Sequence, residues 1–163
     1  MNEYKKSYDR ATQRVLERAS SLDRATRAEY YMEYKLHDIA YVMRSLYADP
    51  LFRDKYVGKV QFKGFTPWPK GFCALSSICV YELYGGEDVW EPYAIKMGAW
   101  EHAPVVFLRH RITGEPFDVT GDQFAPLVVP YHLGTPINRK MKDMRTPNKA
   151  EFIQRVKQEL DRL

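Results

Sequence analysis

At 163 residues, 45% of them hydrophobic and 14% aromatic, the chain is predicted to fold as one domain with a core of its own, which argues against intrinsic disorder. Lysine and arginine total 25 against 21 acidic residues, so the net charge is +4 and mildly basic. Because this charge is spread along the sequence, it permits an acidic partner but does not indicate nucleic acid.

The two cysteines, Cys73 and Cys79, lie six residues apart in one predicted helix. Six residues turn a helix by about 600°, which leaves the two side chains on faces about 120° apart and prevents a disulfide. We therefore expect reduced thiols and a cytoplasmic location. The N-terminal residues lack the apolar core of a signal peptide, and the longest apolar runs fall short of the ~20 residues of a membrane span.

The first fifty residues are predicted to be helical. A charged helix over residues 1–20 carries a modest apolar stripe and ends at Ser20-Ser21, where a second helix begins and continues to Tyr47. Asp49-Pro50 stops that helix, since the residue before a proline disfavours helical backbone. These helices either pack on the rest of the chain, which is the interpretation we favour, or form an interaction surface rich in tyrosine and arginine.

Residues 51–71 mix aromatic and basic side chains with turn residues, and they predict a loop with a short strand. Such a mixture can bind single-stranded nucleic acid, but the charge is too dilute, and covering the mouth of an active site is the simpler role. The chain turns at Pro69-Lys70-Gly71, and a helix of small and apolar residues begins at Cys73. Gly85-Gly86 ends this helix.

An antiparallel sheet is predicted next, from strands over residues 90–97, 103–109 and 117–120. The last two of these strands form a hairpin around a loop at 113–116. Residues 125–129 predict a further short strand, and 130–146 an irregular segment. Thr146-Pro147 opens a final helix whose apolar face comprises Phe152, Ile153, Val156, Leu160 and Leu163.

Cys73 has the sequence position of a reactive thiol. At a helix start, unpaired backbone N–H groups and the helix dipole favour an anion, so we expect a lowered thiol pKa, with Lys70 adding positive charge. Downstream, His102 stands at the start of a predicted strand and Asp118 in the next strand. We interpret the three as a nucleophile, its base and the partner that orients the base.

Three motifs resemble the transglutaminase-like branch of the papain-like superfamily: Gly71-Phe-Cys73, His102-Ala-Pro-Val105 and Phe117-Asp118-Val-Thr120. The resemblance extends over residues 64–125. It implies an α+β fold in which the cysteine helix packs on a small antiparallel sheet. Asp118 follows His102 by 16 positions, and this even offset around a hairpin is expected to place both side chains on one face when no bulge intervenes.

The resemblance also implies how the single domain, residues 1–163, is organised. Residues 1–50 would be a helical extension, 51–130 the papain-like core, and 131–163 an irregular segment followed by the C-terminal helix. The flanking helices resemble no family that we can name.

The function implied is that of a cysteine-dependent hydrolase or acyltransferase acting on a protein, a peptide or a small amide. His102 would take the thiol proton, the Cys73 thiolate would attack the carbonyl carbon, and Asp118 would fix the imidazole tautomer. The thioester then passes to water or to an amine. No cofactor and no metal are expected. The predicted substrate-binding residues are Trp68, Lys70, Trp100 and Gln123.

The chain departs from the family pattern in two places. The glutamine that usually precedes the cysteine is absent, and the nearest one upstream is Gln61, so the oxyanion would rely on backbone N–H groups such as that of Cys73. Pro104 replaces the aromatic residue that usually follows the histidine, and a proline cannot donate to a sheet ladder. His110 is the reserve candidate for the base.

Two alternatives use the same residues differently. A zinc site would draw on Cys73, Cys79, His102 and His110, but a six-residue cysteine spacing inside a helix matches neither a zinc knuckle nor a helical i, i+4 pair. The other alternative is a non-catalytic binding or structural module on the same fold. That module would act through the tyrosine- and arginine-rich N-terminal helices.

Overall fold

Six α-helices and four short β-strands make up the part of the chain that the computed structural model describes, namely residues 3–57, 72–97, 104–124, 128–138, 141 and 148–163. The helices are α1 (Glu3–Tyr30), α2 (Leu36–Tyr47), α3 (Pro50–Val57), α4 (Cys73–Leu83), α5 (Gly86–Val89) and α6 (Lys149–Leu160). The strands are β1 (Trp90–Ile95), β2 (Val105–His110), β3 (Pro116–Phe117) and β4 (Thr135–Pro136). Two 3₁₀ helices, Gly121–Phe124 and Tyr131–Leu133, lie before β4. The predicted mixture of helices with an antiparallel sheet is confirmed.

The sheet is antiparallel throughout and has the order β3-β2-β1-β4. β1 and β2 pair over their full lengths, and β4 joins the outer edge of β1 with Tyr93 opposite Pro136. Because successive side chains of a strand point to opposite faces, Leu108 of β2 faces one side of the sheet and Phe107 the other.

The larger cluster of buried side chains includes Leu108 and joins α2, α4, β1, β2 and α6. α4 lies within it, with buried residues Leu75, Ser76, Ser77, Ile78, Cys79 and Val80. A helix that is apolar around its whole circumference buries itself among neighbours, and this burial positions the start of α4 firmly. The smaller cluster includes Phe107, and Tyr131 packs against it.

The predicted helix end at Ser20-Ser21 is wrong, because α1 continues through both serines to Tyr30. No proline or glycine interrupts α1, and serine is only moderately unfavourable inside a helix. The break falls instead at residues 31–35, where the Tyr34 hydroxyl donates to Asp161 beyond α6 at 2.7 Å. The second helix therefore begins at Leu36, later than predicted.

The strands are shorter than predicted. β1 ends at Ile95, and β3 has only two residues because the chain turns at Asp118. β4 lies in the segment that was predicted to be irregular, and its Pro136 is tolerated because β4 is an edge strand. Residues 125–127 of the predicted last strand lie outside the described residues, and Val128 and Val129 are not in a strand.

Three further helix predictions have mixed outcomes. The helix from Cys73 to the Gly85-Gly86 stop is confirmed as α4, whereas α3 and the four-residue α5 were not predicted. The predicted opening of the final helix, Thr146-Pro147, lies outside the described residues. Leu163, placed on the apolar face of that helix, is 72% exposed. None of the described helices is both long enough and apolar enough to cross a membrane.

The turn between α4 and α5 depends on Gly85, whose φ of +81° lies in the left-handed region. A Cβ atom there would overlap the side chain of Val89, whereas one at Gly114, with φ of +73°, would meet nothing within 4 Å. We expect Gly114→Ala to lower the free energy of unfolding by about 1 kcal/mol, the cost of the backbone conformation alone. Gly85→Ala adds steric overlap, so we expect about 2–4 kcal/mol. Equal losses in urea denaturation would contradict the steric part of this argument.

Candidate active site

Cys73 is the first residue of α4 and is half-buried against the start of β2. Its Sγ lies 3.8 Å from the carbonyl oxygen of Pro104, the residue before β2. One turn later, the Ser77 hydroxyl donates to the carbonyl of Val106 at 3.2 Å and ties the helix to the same strand. Phe72 provides no side-chain cap for α4, so the N-terminal N–H groups of the helix remain available around the sulfur.

The expected lowering of the thiol pKa is wrong. Burial raises the pKa of the Cys73 thiol, and the negative charge of Asp118 raises it further. The backbone of Val106 on β2 and the N–H groups of Ala74 and Cys73 at the helix start act in the opposite direction, but burial outweighs them. The thiol therefore needs a base before it becomes a nucleophile at neutral pH.

Asp118 follows β3 directly and is held by a turn. Its Oδ1 accepts from the backbone N–H of Thr120 at 3.0 Å and from the Thr120 hydroxyl at 2.9 Å. Its Oδ2 accepts from the Tyr131 hydroxyl at 2.9 Å. Burial raises the pKa of Asp118, while these three hydrogen bonds lower it.

The even offset was expected to place His102 and Asp118 on one sheet face, and because His102 lies outside the described residues, this stays a prediction. β2 and β3 pair with Leu108 opposite Phe117. Asp118 follows β3, and its carboxylate is directed toward Thr120 and Tyr131. Its charge still acts on the Cys73 thiol.

A buried polar contact lies beside the cysteine helix. The hydroxyls of Tyr47 on α2 and Ser76 on α4 share a hydrogen bond, and both side chains are excluded from solvent. Burial raises the pKa of Tyr47 well above its ordinary value, and the charges of Cys79, Cys73 and Asp118 act on it in the same direction. Electrostatically, α2, α4 and the Asp118 turn thus form one region.

Arg44 of α2 holds the far end of that turn. Its guanidinium donates to both carboxylate oxygens of Asp122, at 2.8 and 2.6 Å, and to the carbonyl of Val119 at 2.9 Å. The hydrogen bond from Arg44 lowers the pKa of Asp122. Asp122 is therefore paired with Arg44 at the surface.

Four of the predicted site residues lie outside the described residues: Trp68, Lys70, Trp100 and His102. The side chain of Gln123 also lies outside them, although its backbone belongs to the 3₁₀ helix Gly121–Phe124. Of the predicted trio, the structure therefore describes Cys73 and Asp118, and the charge of Asp118 raises the pKa of the Cys73 thiol. The role of His102 stays a prediction.

The prediction of His110 as the reserve candidate for the base is wrong, because His110 does not lie at this site. Its Nδ1 accepts from the backbone N–H groups of Ile112 and Thr113, so Nε2 carries the proton and faces Glu29 Oε1 at 2.9 Å. His110 also ends β2, and six residues of strand separate it from Pro104 by about 20 Å. The ring therefore fastens α1 to the sheet, far from the sulfur.

The residues of the alternative zinc site are separated wherever they are described. Cys79 is fully buried in the core, and burial strongly raises the pKa of its thiol. Both cysteines are free thiols. No cluster of three or more histidine, cysteine or acidic residues suited to a metal occurs within the described ranges.

Sequence reasoning missed Tyr131, Tyr47 and Arg44. Tyr131 stands in the stretch predicted to be irregular, and the contacts of Arg44 reach residues 75 and 78 positions away. A single sequence carries no signal for such pairs. Protein-family models, curated proteins and solved structures contain no match to this chain. The functional argument therefore depends on the geometry and the chemistry of the site.

The Tyr47–Ser76 contact yields a test of how the site region is stabilised. Ser76→Ala leaves a buried phenol without its partner, so we expect a loss of about 1–3 kcal/mol in the free energy of unfolding. Tyr47→Phe costs less, because a helical serine can bond its own backbone. Removing both hydroxyls should cost clearly less than the sum of the single losses.

The exposed Ser45→Ala on α2 is the control, with an expected change within about 0.5 kcal/mol. Urea denaturation of the four variants and the wild type supplies the double-mutant cycle. Strictly additive losses for Tyr47→Phe and Ser76→Ala would mean that the two hydroxyls do not interact.

Proposed function

We propose that this protein is a cysteine-dependent enzyme that attacks an amide or acyl carbonyl, with Cys73 as nucleophile, His102 as base and Asp118 as the carboxylate that orients the base. The observation that carries the proposal is the half-buried Cys73 thiol at the start of α4, whose sulfur lies 3.8 Å from the Pro104 carbonyl, and the charge of the half-buried Asp118 raises the pKa of this thiol. His102 precedes Pro104 by two residues, and the Pro104 carbonyl contacts the sulfur. The same arrangement supports a papain-like core as the finer description of the fold.

The electrostatics require a third group between the thiol and the carboxylate. Burial opposes the charged forms of both Cys73 and Asp118, and the negative charge of Asp118 destabilises the Cys73 thiolate further. An imidazole that receives the thiol proton becomes a cation, which stabilises the thiolate and pairs with the carboxylate. His102 meets this need with one proton transfer.

The reaction then balances without an external reagent. The thiol proton passes to the imidazole, the thiolate forms a C–S bond to the carbonyl carbon, and the imidazolium protonates the leaving amine as the C–N bond breaks. Water or a second amine displaces the sulfur from the thioester and restores the thiol. The uncapped N–H groups at the start of α4 are the donors we assign to the oxyanion.

The two free cysteines favour a reducing cellular compartment. Cys73 acts as a nucleophile only when it is reduced, and Cys79 is also a free thiol. A reducing, cytoplasmic compartment is therefore part of the proposal. The substrate is the amide or acyl group of a protein, a peptide or a small molecule.

The proposal predicts selective alkylation. Iodoacetamide at neutral pH should modify Cys73 rather than the buried Cys79, and His102→Ala should slow this reaction about 100-fold, the lower end of the usual contribution of a general base. The exposed His37→Ala on α2 removes a histidine elsewhere and should leave the rate unchanged. Peptide mass spectrometry of the alkylated protein measures both sites. Slow, equal labelling of the two thiols would argue against an enzyme.

A second candidate function is binding, and the exposure of α1 favours it. Every residue from Arg10 to Ser20 is exposed, including Val15 at 66% and Leu16 at 60%. From residue 10 to residue 27 the helix has five arginines and two acidic residues, so a protein with an acidic surface is the partner that this charge fits. Cys73→Ala separates the two candidate functions, because it removes the proposed nucleophile and therefore the enzymatic activity, whereas the exposed surface of α1 stays intact.

A further inference from the structure

Tyr131 is the described residue that reaches the site from the other side of the sheet. It belongs to the 3₁₀ helix Tyr131–Leu133, and its hydroxyl donates to Asp118 Oδ2 at 2.9 Å. The ring is half-buried. No sequence motif marks this residue, and the proposed mechanism has so far given it no role.

Two further contacts restrict the position of the phenol. The ring packs edge-on against Phe107 of β2, with centroids 4.9 Å apart. Its backbone carbonyl accepts from the guanidinium of Arg109 at 3.2 Å. With ring and backbone both fixed to β2, the hydroxyl is presented to the carboxylate rather than to solvent.

Gly121 makes room for this hydrogen bond. A Cβ atom at position 121 would overlap the Tyr131 hydroxyl and would lie 3.4 Å from Asp118 Oδ2. The backbone of Gly121 is not in the left-handed region, so close approach is what requires glycine here. Any side chain at this position would separate the phenol from the carboxylate.

The hydrogen bonds to Asp118 leave one direction open. A carboxylate has about four acceptor positions. Thr120 occupies two of them at Oδ1, and Tyr131 occupies one at Oδ2. These three donors hold the plane of the carboxylate, and among the described residues none other donates to the second position of Oδ2.

We propose that Tyr131 is a positioning residue, whose hydroxyl holds Asp118 so that Oδ2 accepts the N–H of the His102 imidazole. This inference rests on the proposed Cys73–His102–Asp118 mechanism. Tyr131 does not touch the reacting atoms and acts through the carboxylate. The ring contact with Phe107 and the space at Gly121 are the features that make the hydroxyl available.

The expected consequence concerns pH. The Tyr131 hydrogen bond lowers the pKa of Asp118 against the burial that raises it, so loss of the hydroxyl raises that pKa. The carboxylate then becomes protonated at a higher pH. In a plot of reaction rate against pH, the fall in rate on the acidic side (the acid limb) therefore moves to higher pH. Three other described titratable groups interact electrostatically with Asp118: Cys73 on α4, Tyr47 on α2, and Asp122.

The test is the pH dependence of Cys73 alkylation by iodoacetamide in Tyr131→Phe, which keeps the ring and removes the hydroxyl. We expect the acid limb to move up by about one pH unit, with the rate below the midpoint falling about tenfold, since one pKa unit corresponds to that factor. Gly121→Ala should reproduce the shift, and the double variant should shift no further than either single variant.

Tyr93→Phe is the matched control, since Tyr93 also packs on Phe107, with centroids 5.7 Å apart, and the described contacts of Asp118 do not include it. It should leave the acid limb in place. Thermal melting of each variant verifies that the fold is retained. A carbon-13 NMR titration of the Asp118 carboxyl reads the same shift without any activity, so a structural defect elsewhere would not reproduce it.

The outcomes separate this inference from the proposed function. If His102→Ala slows alkylation but Tyr131→Phe moves neither the acid limb nor the Asp118 titration, the mechanism stands and the role of Tyr131 is overturned. If His102→Ala leaves alkylation unchanged, the proposed function fails, and the positioning role fails with it. A shift shared by Tyr131→Phe and Gly121→Ala, and absent in Tyr93→Phe, supports the inference.

Discussion

The start of α4 is fixed against the start of β2, and the candidate site depends on that junction. The sulfur of Cys73 meets the carbonyl of Pro104, and Ser77 bonds the same strand one turn further on. This geometry is imposed by the apolar circumference of α4, which buries the helix among α2, α6 and the sheet. A helix held so firmly keeps its first residue in one place, and a nucleophile requires this.

The position of Cys73 makes its thiol harder to ionise. A thiol placed in the core boundary loses hydration, and its pKa rises despite the favourable helix start. Asp118 faces the same difficulty and is compensated by Thr120 and Tyr131. Two groups that both resist ionisation, and whose negative charges repel, are an unfavourable pair by themselves. They become favourable when a cation forms between them, and this asymmetry is the physical basis of the proposed mechanism.

Much of the architecture followed from local patterns, and the failures have physical causes. The cysteine helix, its Gly85 stop and the strands at Trp90 and Val105 carry composition and turn signals of their own. The pairing of β4 with β1 joins segments about 40 residues apart, which leaves no local signal. The spacing of His102 and Asp118 alone does not specify the faces on which they lie, because the register of a hairpin depends on its loop.

The most direct measurement of the central claim is the pKa of Cys73, read from thiolate ultraviolet absorbance in a Cys79→Ala background that leaves one thiol. In the presence of His102, Asp118→Asn should raise the pKa of the thiol, because the imidazolium loses its partner. In a His102→Ala background the same substitution should lower it, because only the repulsion by Asp118 is removed. This reversal of sign is the result that the account predicts. A shift of the same sign in both backgrounds would contradict it, since thiol, imidazole and carboxylate would then not act as one unit.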